Sequence, residues 1–257
     1  MFYLFLSKLF FLQGIKSYKS LLGLSTLLIT CLLIFSHLWK VVSFTTSSLP
    51  LKTHELLWYI TLNEWILLSV PSIHIEIEQE FRDGHMIYLL TKPISYLKFK
   101  FFQGLGTLLF QLAALGGIAF SFTTFMTKTF PFTFLSFTLT ILLGISAAVT
   151  SLLFHLYIGL FAFWLHEVSP MHWIWQKFSF ILGGLFIPLS LYPNWLQTAS
   201  SLTPFPWLLG ERSLCLFDPT RACLSVACAL IGWGSLSLIL LTLTYKKIQR
   251  QFMTHGG

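Results

Sequence analysis

Ile75-Glu-Ile-Glu-Gln-Glu-Phe-Arg-Asp-Gly-His-Met-Ile-Tyr-Leu-Leu-Thr-Lys-Pro-Ile-Ser-Tyr-Leu-Lys-Phe-Lys100 is a polar island in an apolar chain. It holds Glu76, Glu78, Glu80 and Asp83, four of the chain's nine acids, and Arg82, Lys92, Lys98 and Lys100, four of its sixteen lysines and arginines. Apolar runs long enough to cross a bilayer, which takes about 20 residues as helix, lie on either side. Charge concentrated between such runs marks a loop displayed at a membrane surface.

Composition supports the same class. The 257 residues are 55% hydrophobic and only 10% charged, against about 25% charged in a soluble domain. The expected fold is all-α, a polytopic membrane protein forming one domain over 1–257. The net charge of +7 points to anionic lipid rather than nucleic acid, because basic residues flank spans on the cytoplasmic side. No nucleic-acid partner is expected.

Working outward from the island gives six spans: about Leu21–Phe44, His54–Ile75, Phe101–Phe125, Phe134–Phe163, Trp173–Leu191 and Arg221–Tyr245. Residues 1–19 read as an interfacial helix, apolar with Lys8, Lys16 and Lys19 reaching toward headgroups. Six spans put both termini on one side. That side carries Lys8, Lys16, Lys19, Arg82, Lys92, Lys98, Lys100, Lys246, Lys247 and Arg250; the other carries Lys40, Lys52, Lys128, Arg212 and Arg221. The bias makes the termini and the island cytoplasmic. The apolar N-terminus has no signal-peptide order, and no long outer domain is present, so a bacterial inner membrane is the expected location.

Within the island, in the region 76–92, Glu76 to Leu90 can form an amphipathic helix in two parts, broken at Gly84, and Pro93 breaks the following segment. Ile77, Phe81, Ile87 and Leu90 offer apolar contacts; Glu78, Glu80, Arg82 and Asp83 offer polar ones. Such a mixture suits docking into a groove, although many charged runs are only solvated loops. Gly183–Pro219 contains Pro188, Pro193, Pro204, Pro206 and Pro219 among Trp195, Leu202, Phe205 and Trp207. It is too apolar for a solvated loop and too broken for a span. Residues 192–219 read as short re-entrant helices, the alternative being an interfacial loop with tryptophan anchors.

Signatures of chemistry are weak. No Walker A loop exists, so the chain does not hold ATP in that way. His166-Glu167-Val-Ser-Pro-Met-His172 fails as a zinc helix, because its second histidine comes two places late and Pro170 interrupts. His74, His85, His166 and His172 fall at the expected cytoplasmic interface, and no metal site is assigned to them. An intramembrane serine protease would need a partner for Ser146, and His155 lies nine residues away on the same helix, about 13 Å along its axis. No catalytic residue and no bound cofactor are therefore expected. Asn63 and Glu64 stand in the middle of the second span. An acid there is a candidate path or subunit-interface residue, or a protonated group bonded to a neighbouring helix. Cys215 and Cys223 are spaced so that a disulfide is possible.

Glu80–Ser95, with its charged helix, Gly84, Leu89-Leu90, Lys92 and Pro93, resembles the cytoplasmic coupling-helix region of ABC-2-type transporter permeases. Gly184–Phe205, ending in Pro204-Phe205, resembles the family's stretch between spans five and six, and Gly159–Trp164 its end of span four. The resemblance runs in order along the chain. It implies the membrane subunit of an ATP-binding-cassette exporter, paired with a second permease copy or a related permease. ATP and Mg would be held by a separate ATPase subunit, contacted through Glu78, Glu80, Phe81, Arg82, Asp83 and Gly84. A membrane-embedded enzyme, such as an intramembrane protease or lipid-modifying enzyme, is the alternative, and a non-transporting assembly factor a third.

Overall fold

The computed structural model describes residues 2–45, 51–84, 95–217 and 222–255. Every regular element among them is helical: α1 (Phe2–Lys16), α2 (Tyr18–Thr45), α3 (Thr53–Ser69), α4 (Ile73–Arg82), α5 (Tyr96–Thr127), α6 (Phe134–Leu160), α7 (Ala162–Leu165), α8 (Ser169–Leu182), α9 (Asn194–Ser201), α10 (Phe205–Leu208), α11 (Gly210–Leu214) and α12 (Ala222–His255), with a 3-10 turn at Leu189–Leu191. Five rods are long and apolar enough to cross a bilayer: Tyr18–Ser43, Thr53–Arg82, Tyr96–Thr127, Phe134–Leu165 and Cys223–Gln251. Leu22, Leu27, Ile34 and Val41 on α2, and Leu224, Ile231, Leu238 and Leu243 on α12, are exposed. Apolar surface of this extent suits lipid. The protein is a multi-pass membrane protein.

The rod Thr53–Arg82 has a break with a local cause. Pro71 has no N–H to donate and disfavours helical backbone at the residue before it. Val70 is accordingly extended (φ −79°, ψ 119°), and α4 restarts at Ile73. The stretch expected to be the fifth span ends at Leu182 rather than Leu191. Its 14 residues reach only about 21 Å. Gly184 is the reason the chain turns: its φ is +63°, and a Cβ there would lie 3.0 Å from the Tyr59 hydroxyl. Only glycine adopts that backbone in that space without strain.

After Gly184 the chain folds back on itself through α9, α10 and α11. Phe205 reaches down to Trp175 of α8, with ring centroids 4.8 Å apart. This fold-back, α2, α5 and α6 surround α3, so that Leu56 to Ile66 are all buried. Small residues allow the close approach. Gly116 of α5 and Gly144 of α6 clasp the Trp65 ring, where added Cβ atoms would lie 2.8 and 2.9 Å from it. Trp65 Nε1 donates to Leu112 O at 2.9 Å.

α1 lies along α5 and runs in the same direction. Tyr3 stacks on Phe102 and Phe11 meets Phe110 edge-on. Gly106 faces the Ser7 carbonyl so closely that a side chain would not fit. The opposite face of α1 exposes Leu4, Phe5, Leu12 and Ile15. Many of the chain's phenylalanines gather at the far end of the bundle from α4, where Phe130 and Phe132 pack on Trp58.

Gly144→Val should push Trp65 out of its seat and destabilise the bundle by about 1–3 kcal/mol, the usual effect of overpacking. Gly117→Val, where nothing lies within 4 Å of an added Cβ, should be near neutral. Thermal unfolding of both variants in detergent measures the difference.

Candidate functional site

α4 is seated by its own pattern. Ile73 and Ile77, one turn apart, face the bundle together with His74 and Glu78. Gly159 of α6 lets the backbones meet: a Cβ there would lie 2.8 Å from Ile77 Cδ1 and 3.1 Å from His74 Cα.

The acids expected to face a partner are turned largely inward. Glu78 is 7% exposed. Its Oε2 accepts the Val168 N–H at 3.0 Å, at the start of α8, and its Oε1 pairs with Arg82 Nη2 at 2.8 Å. A carboxylate suits a helix N-terminus, where backbone N–H groups lack partners. Glu80 accepts from the Tyr96 hydroxyl at 2.8 Å and pairs with Lys100 Nζ at 2.6 Å. Lys100 is 1% exposed, so it is a structural cation rather than a surface anchor. Glu76 lies 3.5 Å from the same ammonium and accepts from Gln103 Nε2 at 2.7 Å. Phe81 meets Phe163 and His166 edge-on.

These bonds tie α4 to the starts of α5 and α8. Facing outward are Ile75, Glu76, Gln79, Arg82, Asp83 and Gly84. Gly84 has φ +72°, the left-handed conformation expected at the break. Residues 85–92 of the expected coupling region, and 218–219 of the re-entrant segment, lie outside the described residues.

Asn63 and Glu64 diverge. Asn63 is wholly buried and belongs to a network that holds the fold-back. Its Nδ2 donates to Leu185 O at 2.9 Å and Gly184 O at 3.3 Å, and its Oδ1 accepts from Ser213 Oγ at 2.6 Å. Arg212, 1% exposed, donates from Nη2 to Leu62 O at 2.7 Å and from Nε to Leu208 O at 3.1 Å. The Tyr59 hydroxyl donates to Gly184 O. Glu64, 3% exposed, makes no hydrogen bond or ion pair with a described residue. Sequence reasoning placed Arg212 among outer-loop charges and missed this role.

Beside the fold-back lies a cavity of about 420 Å³ lined by Gln197, Ser201, Trp207 and Glu211, among others. Cys215 and Cys223 are free thiols, with Cys223 Sγ 4.0 Å from Cys215 O. Ser146 is exposed and its hydroxyl donates to Leu142 O at 2.8 Å.

A second feature absent from the sequence reading joins three helices. His74 of α4, His155 of α6 and His172 of α8 offer ring nitrogens that lie within 4.8 Å of one another. The signal was positional: His74 closes the second expected span, His172 opens the fifth, and His155 stands 21 residues into the α6 rod, about 32 Å from its start. No protein-family model, curated protein or solved structure matches the chain.

Two outcomes test the networks. Asn63→Leu should leave the Leu185 carbonyl and the Ser213 hydroxyl proton without a partner, while Gly184 O keeps Tyr59, at about 1–3 kcal/mol for each group left unsatisfied. Hydrogen exchange over 183–217 should rise while α12 stays protected. Lys100→Met should lower thermal stability by more than the ~0–1 kcal/mol of an exposed pair, because Glu76 and Glu80 then face each other uncompensated; Lys98→Met should not.

Proposed function

We propose that the chain is the membrane subunit of an ATP-binding-cassette exporter, with α4 as the element that couples it to a separate ATPase subunit. The observation that carries this reading is the division of α4. One face is bonded to the starts of α5 and α8, while Ile75, Gln79, Arg82 and Asp83 are exposed among the described residues. A helix held this way transmits a push to the helices behind it. The resemblance of 80–95, 159–164 and 184–205 to ABC-2-type permeases adds to that observation.

On this reading α8 together with the fold-back makes the fifth of six passages, and residues 192–219 re-enter the membrane from the outer side. Both termini and α4 are cytoplasmic, as the distribution of lysine and arginine favours. A second permease copy or related permease completes the path, and a bacterial inner membrane is the setting. Arg212 and Asn63 then stabilise irregular backbone at membrane depth, which requires satisfied polar groups. The Glu211 cavity lies at the outer mouth and suits an amphiphilic cargo.

The test is Gln79→Lys with Asp83→Lys, which alters the outward face and leaves the Glu78 and Glu80 bonds intact. The double variant should insert and melt like the wild type, yet lose co-purification of a P-loop ATPase in mild detergent and the hydrolysis that accompanies it. A wild-type chain that never brings down such a subunit from its native membrane would refute the reading.

A further inference from the structure

We propose that His74, His155 and His172 form a binding site for a divalent transition-metal ion of the zinc class, clamping α4 to α6 and α8. The proposal stands on the cluster's geometry and does not depend on the transport reading.

Each ligand comes from a different helix, so the site exists only in the folded bundle. His74 and His155 are 1% and 7% exposed. His155 Nδ1 lies 2.8 Å from Ser151 O. A carbonyl only accepts, so this nitrogen carries the proton and Nε2 keeps its lone pair for a metal. Metal-binding histidines are commonly oriented by this kind of outer bond. The Nδ1 atoms of His74 and His172 are buried and have no hydrogen-bond partner among the described residues. Buried polar atoms are nearly always paired, and a metal ion would satisfy both at once.

The ring spacings can be compared with a tetrahedral site. Zinc–nitrogen bonds of about 2.0–2.1 Å place neighbouring imidazole centroids about 5 Å apart. His74–His155 and His155–His172 are at 5.4 and 5.2 Å. Only the His74–His172 pair, stacked at 3.9 Å, has to open, by about 1 Å on the same geometry. His172 is the least buried of the three and sits on the first turn of α8, where a side-chain shift disturbs least. Neutral imidazoles favour zinc, copper or nickel over calcium or magnesium. Three protein ligands leave a fourth position for water or an exogenous donor.

The site also has a defined mechanical position. His74 lies one turn before Glu78, whose carboxylate caps α8, and His172 lies one turn after Val168, the residue so capped. Gly159 sets the approach that brings His74 to α6. A metal ion would therefore fasten the same joint that the Glu78 bond fastens, at the α4 end of the bundle.

The experiment uses the full chain in detergent, purified through a tag free of histidine and stripped with chelator. Zn²⁺ is titrated against a chromophoric competitor, and Co²⁺ is added in parallel. The expected result is about one Zn²⁺ per chain and the intense visible absorption of tetrahedral Co²⁺. His172→Asn, the ligand change least able to disturb folding, should weaken Zn²⁺ at least about 100-fold, while His166→Asn leaves it unchanged. Zn²⁺ should raise the melting temperature of the wild type and not of His172→Asn. A folded wild type that binds no Zn²⁺ in competition overturns the proposal, and so does a folded His172→Asn that binds as tightly as wild type.

Discussion

A guanidinium buried in an apolar bundle, paired with no carboxylate among the described residues, is a severe constraint, and here it organises the packing around α3. Taking a charge out of water is costly unless dipoles replace the lost solvation. Around Arg212 the dipoles come from Leu62 O, Leu208 O and the Ser213 hydroxyl. Two of these acceptors belong to the broken segment itself and the third to α3. The Leu62 bond forms only when the fold-back is docked, and Nη1 has no hydrogen-bond partner among the described residues. Asn63 and Tyr59 extend the same logic to the Gly184 and Leu185 carbonyls, which a segment without regular hydrogen bonding would otherwise leave orphaned. The burial of α3 on every side follows, because the fold-back closes the one flank that α2, α5 and α6 leave open.

The rod that carries this network along α3 carries α4 at one end. The two places obey different chemistry. Near Leu62 the contacts are neutral dipoles around a single cation; at α4 they are ion pairs, Glu80 with Lys100 and Glu78 with Arg82. Lys100 is as buried as Arg212, but its carboxylate partner Glu80 stays partly exposed. Water can stabilise that carboxylate if the pair opens, whereas no such relief is available around Arg212. The α4 contacts are thus the ones more easily separated, and Pro71 removes helix continuity between α4 and the Arg212 network. A displacement of α4 would shift the starts of α5 and α8 before it reached the Arg212 network.

Much of the bundle was legible in the chain because length and apolarity are what a bilayer demands. The expected starts and ends of spans one to four and six fall within a few residues of the helices, apart from the Pro71 break and the extension of α12 to His255. The fifth span was not legible: Trp173–Leu191 is largely apolar, and its early end depends on a left-handed Gly184 fitted under Tyr59, a tertiary contact. The inward turn of Glu78 and Glu80 was hidden for a similar reason. Charge at a membrane surface reads as exposed, and nothing local says that Val168 and Lys100 will be waiting. Asn63 drew attention as a mid-span polar residue, but its neighbour Glu64 looked equivalent in sequence and is not, since only Asn63 finds partners in the fold-back.

The histidines extend this point. Three residues separated by 81 and 17 positions, His74, His155 and His172, meet because the chain returns to the same end of the bundle three times. Each is ordinary where it stands in the sequence. Their meeting depends on Gly159, which admits α4 to α6, and on Glu78, which ties α4 to the start of α8. The residues that seat α4 and the residues that gather the imidazoles are thus interleaved on one helix turn. The proposed coupling surface and the imidazole cluster can share α4 without conflict, since Glu78 and Gln79 point about 100° apart around the helix and only Glu78 is buried. A clamp on the inner face would stiffen the joint between α4 and the bundle, and leave the Arg212 network untouched.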